Sequence, residues 1–341
     1  MTILRINNRI LKKNGTVLAG PTLPPFTIML KFTEGVTPTF SKGTGVQVSS
    51  SPNIWDLTYE NTDWSMMLNA QYADFLEVIA ANTTGVTNMN RMFNNCRKLT
   101  AVPLFDTSRV TDMTRMFYDC ELLTSLPLFD TSSCIIMQQM LANCSGLTTV
   151  PLFNTSSVTD MNYMFNNCVA LTTVPLFNTS NVTNMSHMFD DCRALTSVPL
   201  LDMSNVTDTS WMFYHCDSLT TVPLFDTSSV TNMNLMFYNS GITSVPLLDT
   251  SSVTDISGMF RGCTGITSIP LLDTSSVTNI SGMFRDCYNV QSGAFALYQQ
   301  ASSQATPPTT HIYTFTDCGR DTVTGAAELA QIPSDWGGTM S

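Results

Sequence analysis

The sequence predicts an α/β repeat solenoid in which nine coils of 23–24 residues stack on one another. The same unit recurs nine times between about Val86 and Val290, and almost every copy contains a Met-Phe pair. In most copies a cysteine lies three residues after the Phe, so that successive cysteines are 24 residues apart over most of the array. Self-similarity at a fixed period of this length is typical of solenoids, in which each repeat buries its apolar face against its neighbours.

Within one coil, apolar residues recur at intervals of three or four, which predicts a helical or tightly turned segment that points them inward. Residues 171–176 contain β-branched residues and a proline, and this predicts a strand of four or five residues. The Asp, Thr and Ser residues between the two segments predict a turn. The inward positions of one copy are Val182, Met185, Met188, Phe189 and Cys192.

Both ends of the array are predicted to be covered, because an open solenoid end exposes its core. Residues 64–85 predict a capping helix, and residues 292–305 predict a second one, followed by a short strand at 311–315. Before the first cap the sequence alternates and carries a turn signal at Asn14–Gly15. The predicted parts are a β-rich basic head at 1–42, a cap at 43–85, the solenoid at 86–290, and a C-terminal cap and tail at 291–341.

Charge is unevenly distributed along the chain, whose net charge is −11. Residues 1–42 carry six basic residues and one acidic residue, a net +5, which leaves −16 for the remainder. An acidic body repels nucleic-acid phosphates, so we expect no nucleic-acid partner. No run of 18 apolar residues and no export signal is recognisable, so we expect no membrane insertion. The predicted anchor residues of the head are Arg5, Arg9, Lys12 and Lys13.

The cysteine spacing argues against a zinc site, because one thiol per coil forms a column and does not converge with three other ligands. We therefore predict reduced, buried thiols and no metal or cofactor. An Asp/Asn column also recurs once per coil, and two interpretations of it stay open. Turn capping is favoured, and calcium binding is the alternative. The column includes Asp106, Asp130, Asn154, Asn178, Asp202 and Asp226.

Signals of catalysis are weak in this sequence. Its three histidines are His187, His215 and His311, of which two occupy variable repeat positions and one lies in the C-terminal cap. Neither a Gly-rich phosphate loop nor an HExxH motif occurs. An enzyme needs a nucleophile, a base and stabilising groups at one place, and we predict no catalytic residue.

Comparison of the copies separates positions that the coil dictates from positions that it leaves free. The residue before the Met-Phe pair varies, as do the two residues after it, and both sets are expected to project outward along one ridge. Drift usually gives small polar residues, whereas Tyr, Trp and Arg are enriched at binding hot spots. The predicted ligand-binding ridge is Arg91, Arg115, Tyr118, Tyr163, His187, Trp211, Tyr214, His215 and Tyr238.

The unit at 154–175, "NTSSVTDMNYMFNNCVALTTVP", resembles the repeat of the BspA-like leucine-rich repeat surface proteins of bacteria. The resemblance covers about residues 85–290. It implies a leucine-rich-repeat-like right-handed coil and a role in adhesion, through binding of host proteins or glycans, without fixed ligand residues. Members of that family usually carry an export signal or a surface anchor, and neither is recognisable here.

These observations favour a non-enzymatic recognition protein on a virion surface, as a receptor-binding fibre or capsid-decorating protein of a phage. The basic head suits docking on an assembly, and release by cell lysis needs no export signal. The partner is expected to be a host-cell surface glycan or protein. The alternatives are a bacterial surface adhesin exported by another route and, from another class, a glycan hydrolase. The sequence leaves open whether the chain forms a homo-oligomer.

Overall fold

The structure is a computed structural model. It describes residues 3–6, 9–13, 16–17, 27–35, 38, 44–50, 52–59, 61–65 and 75–340. The chain divides into two compact units, Met1–Ser157 and Val158–Ser341. The first unit contains two antiparallel sheets and the first coils, and the second contains the remaining coils and two helices.

The first sheet consists of β1 (Ile3–Ile6), β2 (Arg9–Lys13) and β3 (Thr16–Val17), paired in the order β1-β2-β3. All of its strands are antiparallel. The sequence predicts a β-rich segment here, and the four anchor residues of the basic head lie in β1 and β2. The predicted turn at Asn14–Gly15 lies outside the described residues.

The second sheet has the order β5-β6-β4-β7 and is antiparallel throughout. Its central strand β4 buries Ile28 and Leu30 completely. Its opposite face is covered as well, since Met29 is only 4% exposed, while β6 and β7 satisfy the backbone of β4 on both sides. The four strands are β4 (Thr27–Phe32), β5 (Thr44–Ser50), β6 (Asn53–Thr58) and β7 (Phe75–Asn82).

The predicted capping helix at 64–85 is wrong where the structure describes its second half. Phe75–Asn82 forms β7, which pairs Leu30 with Val78. A short apolar run does not distinguish a helix from a strand by its period, and β4 would otherwise expose a row of unpaired backbone groups. Residues 66–74 of the predicted helix lie outside the described residues. The sheet meets the first coil where the Thr100 N–H donates to the Leu76 carbonyl at 3.4 Å.

Each coil is built from consecutive turns that bury the apolar positions predicted from the sequence. Two kinds of backbone hydrogen bond alternate along this segment. The Met185 N–H donates to the Asp208 carbonyl of the next coil at 3.1 Å, whereas the Met188 N–H closes a local turn on the Met185 carbonyl at 3.1 Å. The buried Phe side chains stack from coil to coil, with the Phe189 and Phe213 ring centroids 5.6 Å apart.

The predicted strand at 171–176 does not form, although these residues all lie within the described part of the chain. In the equivalent segment of the next coil, the Leu201 N–H donates to the Pro199 carbonyl at 2.9 Å. That local γ-turn uses the donor that a strand would offer to its neighbour, and proline contributes no donor. Parallel pairing between coils is limited to isolated bridges such as Asn184 with Asp208.

The C-terminal part of the second unit contains α1 (Ala294–Ser302), α2 (Val323–Leu329) and a 3-10 turn (Ser334–Trp336). Helix α1 forms within the segment for which the sequence predicts one. The Glu328 carboxylate of α2 accepts hydrogen bonds from the Gly293 and Phe295 N–H groups at 3.2 and 3.1 Å. A carboxylate at this position satisfies donors that the first turn of α1 leaves unpaired.

Residues 310–318 form a further coil segment, so the predicted strand at 311–315 is wrong. The Ile280 and Phe284 N–H groups donate to the Thr310 and Thr314 carbonyls, both at 2.9 Å. The Phe315 ring stacks on Phe284 at 6.3 Å with an interplanar angle of 4°. This segment therefore continues the Phe column after an interruption by α1.

Candidate functional site

The residue before the Met-Phe pair has a left-handed backbone in every copy, with φ between 55° and 62°. The N–H of this residue donates to the next coil, as do the N–H groups two residues before and two residues after it. The Trp211 N–H donates to the Asn234 carbonyl at 2.9 Å, and the His187 N–H donates to the Ser210 carbonyl at 2.9 Å. We name these residues the first left-handed column: Arg91, Arg115 and Gln139 in the first unit, and Tyr163, His187, Trp211, Leu235, Gly258 and Gly282 in the second.

A second left-handed column lies four residues further along each coil, with φ between 50° and 74°. It has the same backbone role, since the Asp191 N–H donates to the Tyr214 carbonyl of the next coil at 2.8 Å. Asn, Asp and Gly tolerate this conformation best, and they fill the column with one exception, His215. The column is Asn95, Asp119 and Asn143 in the first unit, and Asn167, Asp191, His215, Asn239, Gly262 and Asp286 in the second.

Five of the predicted ridge residues form a continuous ring stack in the second unit, which we name the aromatic ridge: Tyr163, His187, Trp211, Tyr214 and Tyr238. The Tyr163 and His187 ring centroids are 4.1 Å apart at 8°, and His187 and Trp211 are 5.1 Å apart at 21°. Trp211 then contacts Tyr214 at 4.4 Å, and Tyr214 stacks on Tyr238 at 4.7 Å. All five side chains are half-buried, so the ridge offers mainly ring edges and polar tips to a ligand.

Polar contacts hold the ridge in place. The His187 Nδ1 lies 2.8 Å from the Asp190 carboxylate, and the Trp211 Nε1 donates to the Asn234 Oδ1 at 3.1 Å. Burial raises the pKa of the Asp190 carboxyl, and the hydrogen bond to His187 partly offsets this. Burial also raises the pKa of the Tyr163 phenol. The phenol therefore stays protonated at neutral pH and can both donate and accept a hydrogen bond.

The far end of the ridge is cationic. The Arg261 guanidinium lies 5.5 Å from the Tyr238 ring centroid and 3.4 Å from the Asp286 carboxylate. His215 packs edge-on against Tyr214, with centroids 4.5 Å apart. His215 thus belongs to the same cluster, as the sequence predicts, although it comes from the second left-handed column.

The first unit contains the other predicted ridge residues, Arg91, Arg115 and Tyr118, all half-buried. The Arg115 guanidinium lies 5.4 Å from the Tyr118 ring centroid, and its Nε donates to the Gln139 Oε1. Arg91 occupies the same column one coil earlier. This unit therefore presents a cationic row where the second unit presents rings.

The thiols of the coils are buried, and this makes them poor nucleophiles. Burial raises the pKa of the Cys192 and Cys216 thiols well above the usual value, which keeps them protonated. The Cys192 Sγ donates to the Phe165 carbonyl of the preceding coil at 3.1 Å. Within the described ranges, no group of three His, Cys, Asp or Glu side chains is placed to hold a metal ion.

Turn capping is the role that the structure gives to the Asp/Asn column. The Asp130 Oδ1 accepts from the Ser132 N–H at 3.0 Å and from the Ser132 hydroxyl at 2.7 Å. These hydrogen bonds lower the pKa of the Asp130 carboxyl. Asp202 makes the same pair of bonds with Ser204 at 3.1 and 2.7 Å. These side chains therefore cap turns, which is the role favoured from the sequence.

A family comparison assigns the repeat array. The family described as "Mycoplasma protein of unknown function, DUF285" matches residues 62–168, 147–246 and 241–302, which together cover more than half of the chain. The chain belongs to this family. The DUF285 match also confirms the resemblance to the BspA-like leucine-rich repeat proteins. Its start at residue 62 coincides with an early coil segment, in which the Thr87 N–H donates to the Thr62 carbonyl at 2.8 Å.

Two solved structures are similar to this DUF285 protein. A leucine-rich repeat protein from Eubacterium ventriosum ATCC 27560 is 24% identical with a TM-score of 0.33, over 48% of this chain and 40% of that chain. A leucine rich cell surface protein from Faecalibacterium prausnitzii A2-165 is 18% identical with a TM-score of 0.29, over 68% of this chain and 82% of that one. The chain thus spans 40% of the length of the first structure. No curated protein matches the chain.

The structure also shows a surface that the sequence interpretation missed. The Leu that follows the proline of each coil is exposed, as for Leu176 and Leu224 at 61% and 67%, whereas the next residue is buried. In the coils of Leu200 and Leu247, which are 59% and 66% exposed, the γ-turn at the proline accompanies this outward position. The signal for it was the Pro-Leu pair, because proline ends any strand that would have hidden the side chain. Among the described residues no helix is long and apolar enough to cross a membrane.

Proposed function

We propose that this DUF285 protein acts by recognition and not by catalysis, and that it binds a cell-surface glycan or protein through the aromatic ridge. The observation that carries the proposal is the composition of the first left-handed column. Both left-handed columns impose the same backbone conformation on their residues. Only the second column is filled mainly with Asn, Asp and Gly, the residues that tolerate this conformation best.

The free-energy cost of the left-handed conformation in the first column is large enough to need an explanation. A left-handed backbone costs an ordinary L-residue about 1–2 kcal/mol, and Gly, Asn or Asp much less. Whole domains are stable by about 5–15 kcal/mol, so several such residues weigh heavily. If the coil alone selected residues, the first column would resemble the second. Gly258 and Gly282 show that the coil accepts glycine there.

Stacking within the ridge offsets only part of that cost. An aromatic pair contributes about 0.5–1.5 kcal/mol beyond burial, and the rings at Tyr163, His187 and Trp211 gain this from one another. Leu235 has no ring to stack, and Arg115 gains only a cation–π contact with Tyr118, worth about 0.5–1 kcal/mol at an exposed site. The large side chains are therefore best explained by a use at the surface, for which a rigid row of rings and polar tips suits a ligand because little side-chain entropy is lost on binding.

We place this function on a virion surface, where the protein acts as a receptor-binding or capsid-decorating component, with residues 1–42 docking it to the assembly. The opposite charge of this head and the remainder supports the placement. A bacterial cell surface is the alternative, and it is supported by the resemblance to BspA-like surface proteins. Both settings use the same ridge.

The test measures attachment of labelled protein to a panel of bacterial and animal cells and to a glycan array. Trp211 is central in the ridge, and a central aromatic typically accounts for about 2 kcal/mol of binding or more, so Trp211→Ala should weaken attachment at least about thirtyfold. The matched control is Tyr288→Ala, which removes a half-buried ring outside the ridge. Equal attachment of Trp211→Ala and the wild type rejects the ridge. Failure of the wild type to attach anywhere rejects recognition as the function.

A further inference from the structure

An open polar groove of about 630 Å³ adjoins the ridge in the second unit. Trp211 lines one end, and the groove continues over the next three coils along side chains that precede the first left-handed column. Its size lies within the range of about 300–1,000 Å³ that is typical of small-molecule sites. The side chains that matter for its chemistry are Trp211, Thr231, Asn232, Thr254, Asp255 and Asn279.

The groove is unsuited to an anion. Among the described residues that line it, none is Lys, Arg or His, and the carboxylate of Asp255 contributes negative charge. That carboxylate is held by the coil: its Oδ1 accepts from the Ser257 N–H at 2.8 Å, and its Oδ2 accepts from the Asn279 Nδ2 at 3.1 Å. A phosphate or carboxylate ligand would meet repulsion here without a compensating cation.

Donors and acceptors for a neutral polar ligand are available along the floor. The Thr231 and Thr254 hydroxyls each donate to a carbonyl of the preceding coil at 3.1 Å, which leaves their oxygen lone pairs as acceptors. The Asn232 Oδ1 accepts from the Asn234 N–H at 3.1 Å, and its Nδ2 remains available to donate. Sugar hydroxyls both donate and accept, so they match this mixture.

The spacing of the coils favours a saccharide over a peptide as the ligand. The ring centroids of Phe213, Phe237 and Phe260 are 5.4 Å apart from coil to coil, and the groove repeats its side chains at the same interval. An extended peptide repeats its side-chain direction every two residues, about 6.6–6.8 Å, and loses register after a few coils. One pyranose residue of an extended oligosaccharide advances by nearly one coil.

We propose that this groove binds a neutral oligosaccharide along the stacking direction of the coils, with one sugar residue per coil. The Asn232 Nδ2 donates to a sugar oxygen, the Thr231 and Thr254 hydroxyls accept from sugar hydroxyls, and the indole edge of Trp211 closes one end. The proposal rests on the recognition function and names its ligand class.

The test uses the full chain and ligand-observed NMR titration with maltotetraose, cellotetraose and mannotetraose, with tetragalacturonate as an acidic comparison. The wild type should bind at least one neutral tetrasaccharide and bind the acidic one more weakly. The double variant Asn232→Ala/Thr254→Val loses two hydrogen bonds of about 1 kcal/mol each, so its affinity should fall roughly thirtyfold.

The matched control is Asn184→Ala/Thr207→Val, which removes the same repeat positions outside the groove lining. It should bind like the wild type, and circular dichroism should show both double variants folded. Wild-type affinity in the groove variant, preference for the acidic sugar, or no binding of any neutral sugar overturns the groove. If cells are bound through Trp211 but no neutral sugar binds, the recognition function stands alone. If sugar binds in the groove but no cell is bound, the recognition function fails.

Discussion

Replacement of Trp211 by glycine and by alanine should reverse the usual order of these two residues. At ordinary backbone angles glycine destabilises an element by about 0.5–1 kcal/mol relative to alanine. Trp211 has φ of 60°, a conformation that costs alanine about 1–2 kcal/mol and glycine almost nothing. Both variants lose the same contacts with His187, Tyr214 and Asn234. Trp211→Gly should therefore be about 1 kcal/mol more stable than Trp211→Ala.

Urea unfolding followed by circular dichroism measures this difference directly. The neighbouring residue Met212 is fully buried and is not left-handed, so it provides the control. There, Met212→Ala should be more stable than Met212→Gly, and both should lose about 2–5 kcal/mol through an internal cavity. A Trp211→Ala variant as stable as Trp211→Gly, or more stable, would refute the strain assigned to the first left-handed column.

Three further outcomes are expected. Phe225→Ala should cost about 3–5 kcal/mol in urea unfolding and Leu224→Ala less than about 0.5 kcal/mol, because the first side chain is 3% exposed and the second 67%; similar losses would contradict the coil orientation. Burial raises the pKa of Cys263 to about 12, so the folded thiol keeps its proton while the unfolded one loses it above about pH 9. Stability should therefore fall as pH rises from 8 to 10, by about 1.4 kcal/mol less in Cys263→Ala than in the wild type, and equal losses would count against burial. Removal of residues 1–17 should leave the second sheet folded and abolish incorporation into particles, whereas removal of 1–42 also deletes β4 and should unfold that sheet; full incorporation without 1–17 would leave the head without its proposed role.

The coil was predictable because its apolar positions repeat in type and spacing. Val182, Met188 and Phe189 recur in nearly every copy, and a stacked core is the only arrangement that buries them all. The β-branched residues at 171–176 were not sufficient to predict a strand, because the proline that ends the segment contributes no backbone donor to a neighbouring strand. The sheet strand at Phe75–Asn82 depends on pairing with β4, about 50 residues away, which no local pattern encodes.

The ridge position could be predicted, but its backbone could not. A left-handed conformation is normally indicated by Gly, Asn or Asp, whereas Tyr163 and Trp211 are bulky residues that do not indicate it. The second column does contain such residues, for example Asn167 and Asn239. The first column lies four residues before it in each coil, so this spacing would have located the first column as well. Residues 310–318 escaped notice because α1 interrupts the 24-residue period, although Phe315 and Cys318 keep the spacing of Phe284 and Cys287.

The most direct test of recognition by the first left-handed column compares two double glycine variants in the cell-attachment assay. Tyr163→Gly/Trp211→Gly removes ridge side chains, and Asn167→Gly/Asn239→Gly makes the same backbone change in the second column. Both should unfold cooperatively near the wild-type midpoint. We expect the first variant to lose attachment by about a hundredfold or more to the cell type that the wild type binds best, and the second to attach like the wild type. Unchanged attachment of Tyr163→Gly/Trp211→Gly, in a folded protein, would contradict the assignment of the ridge.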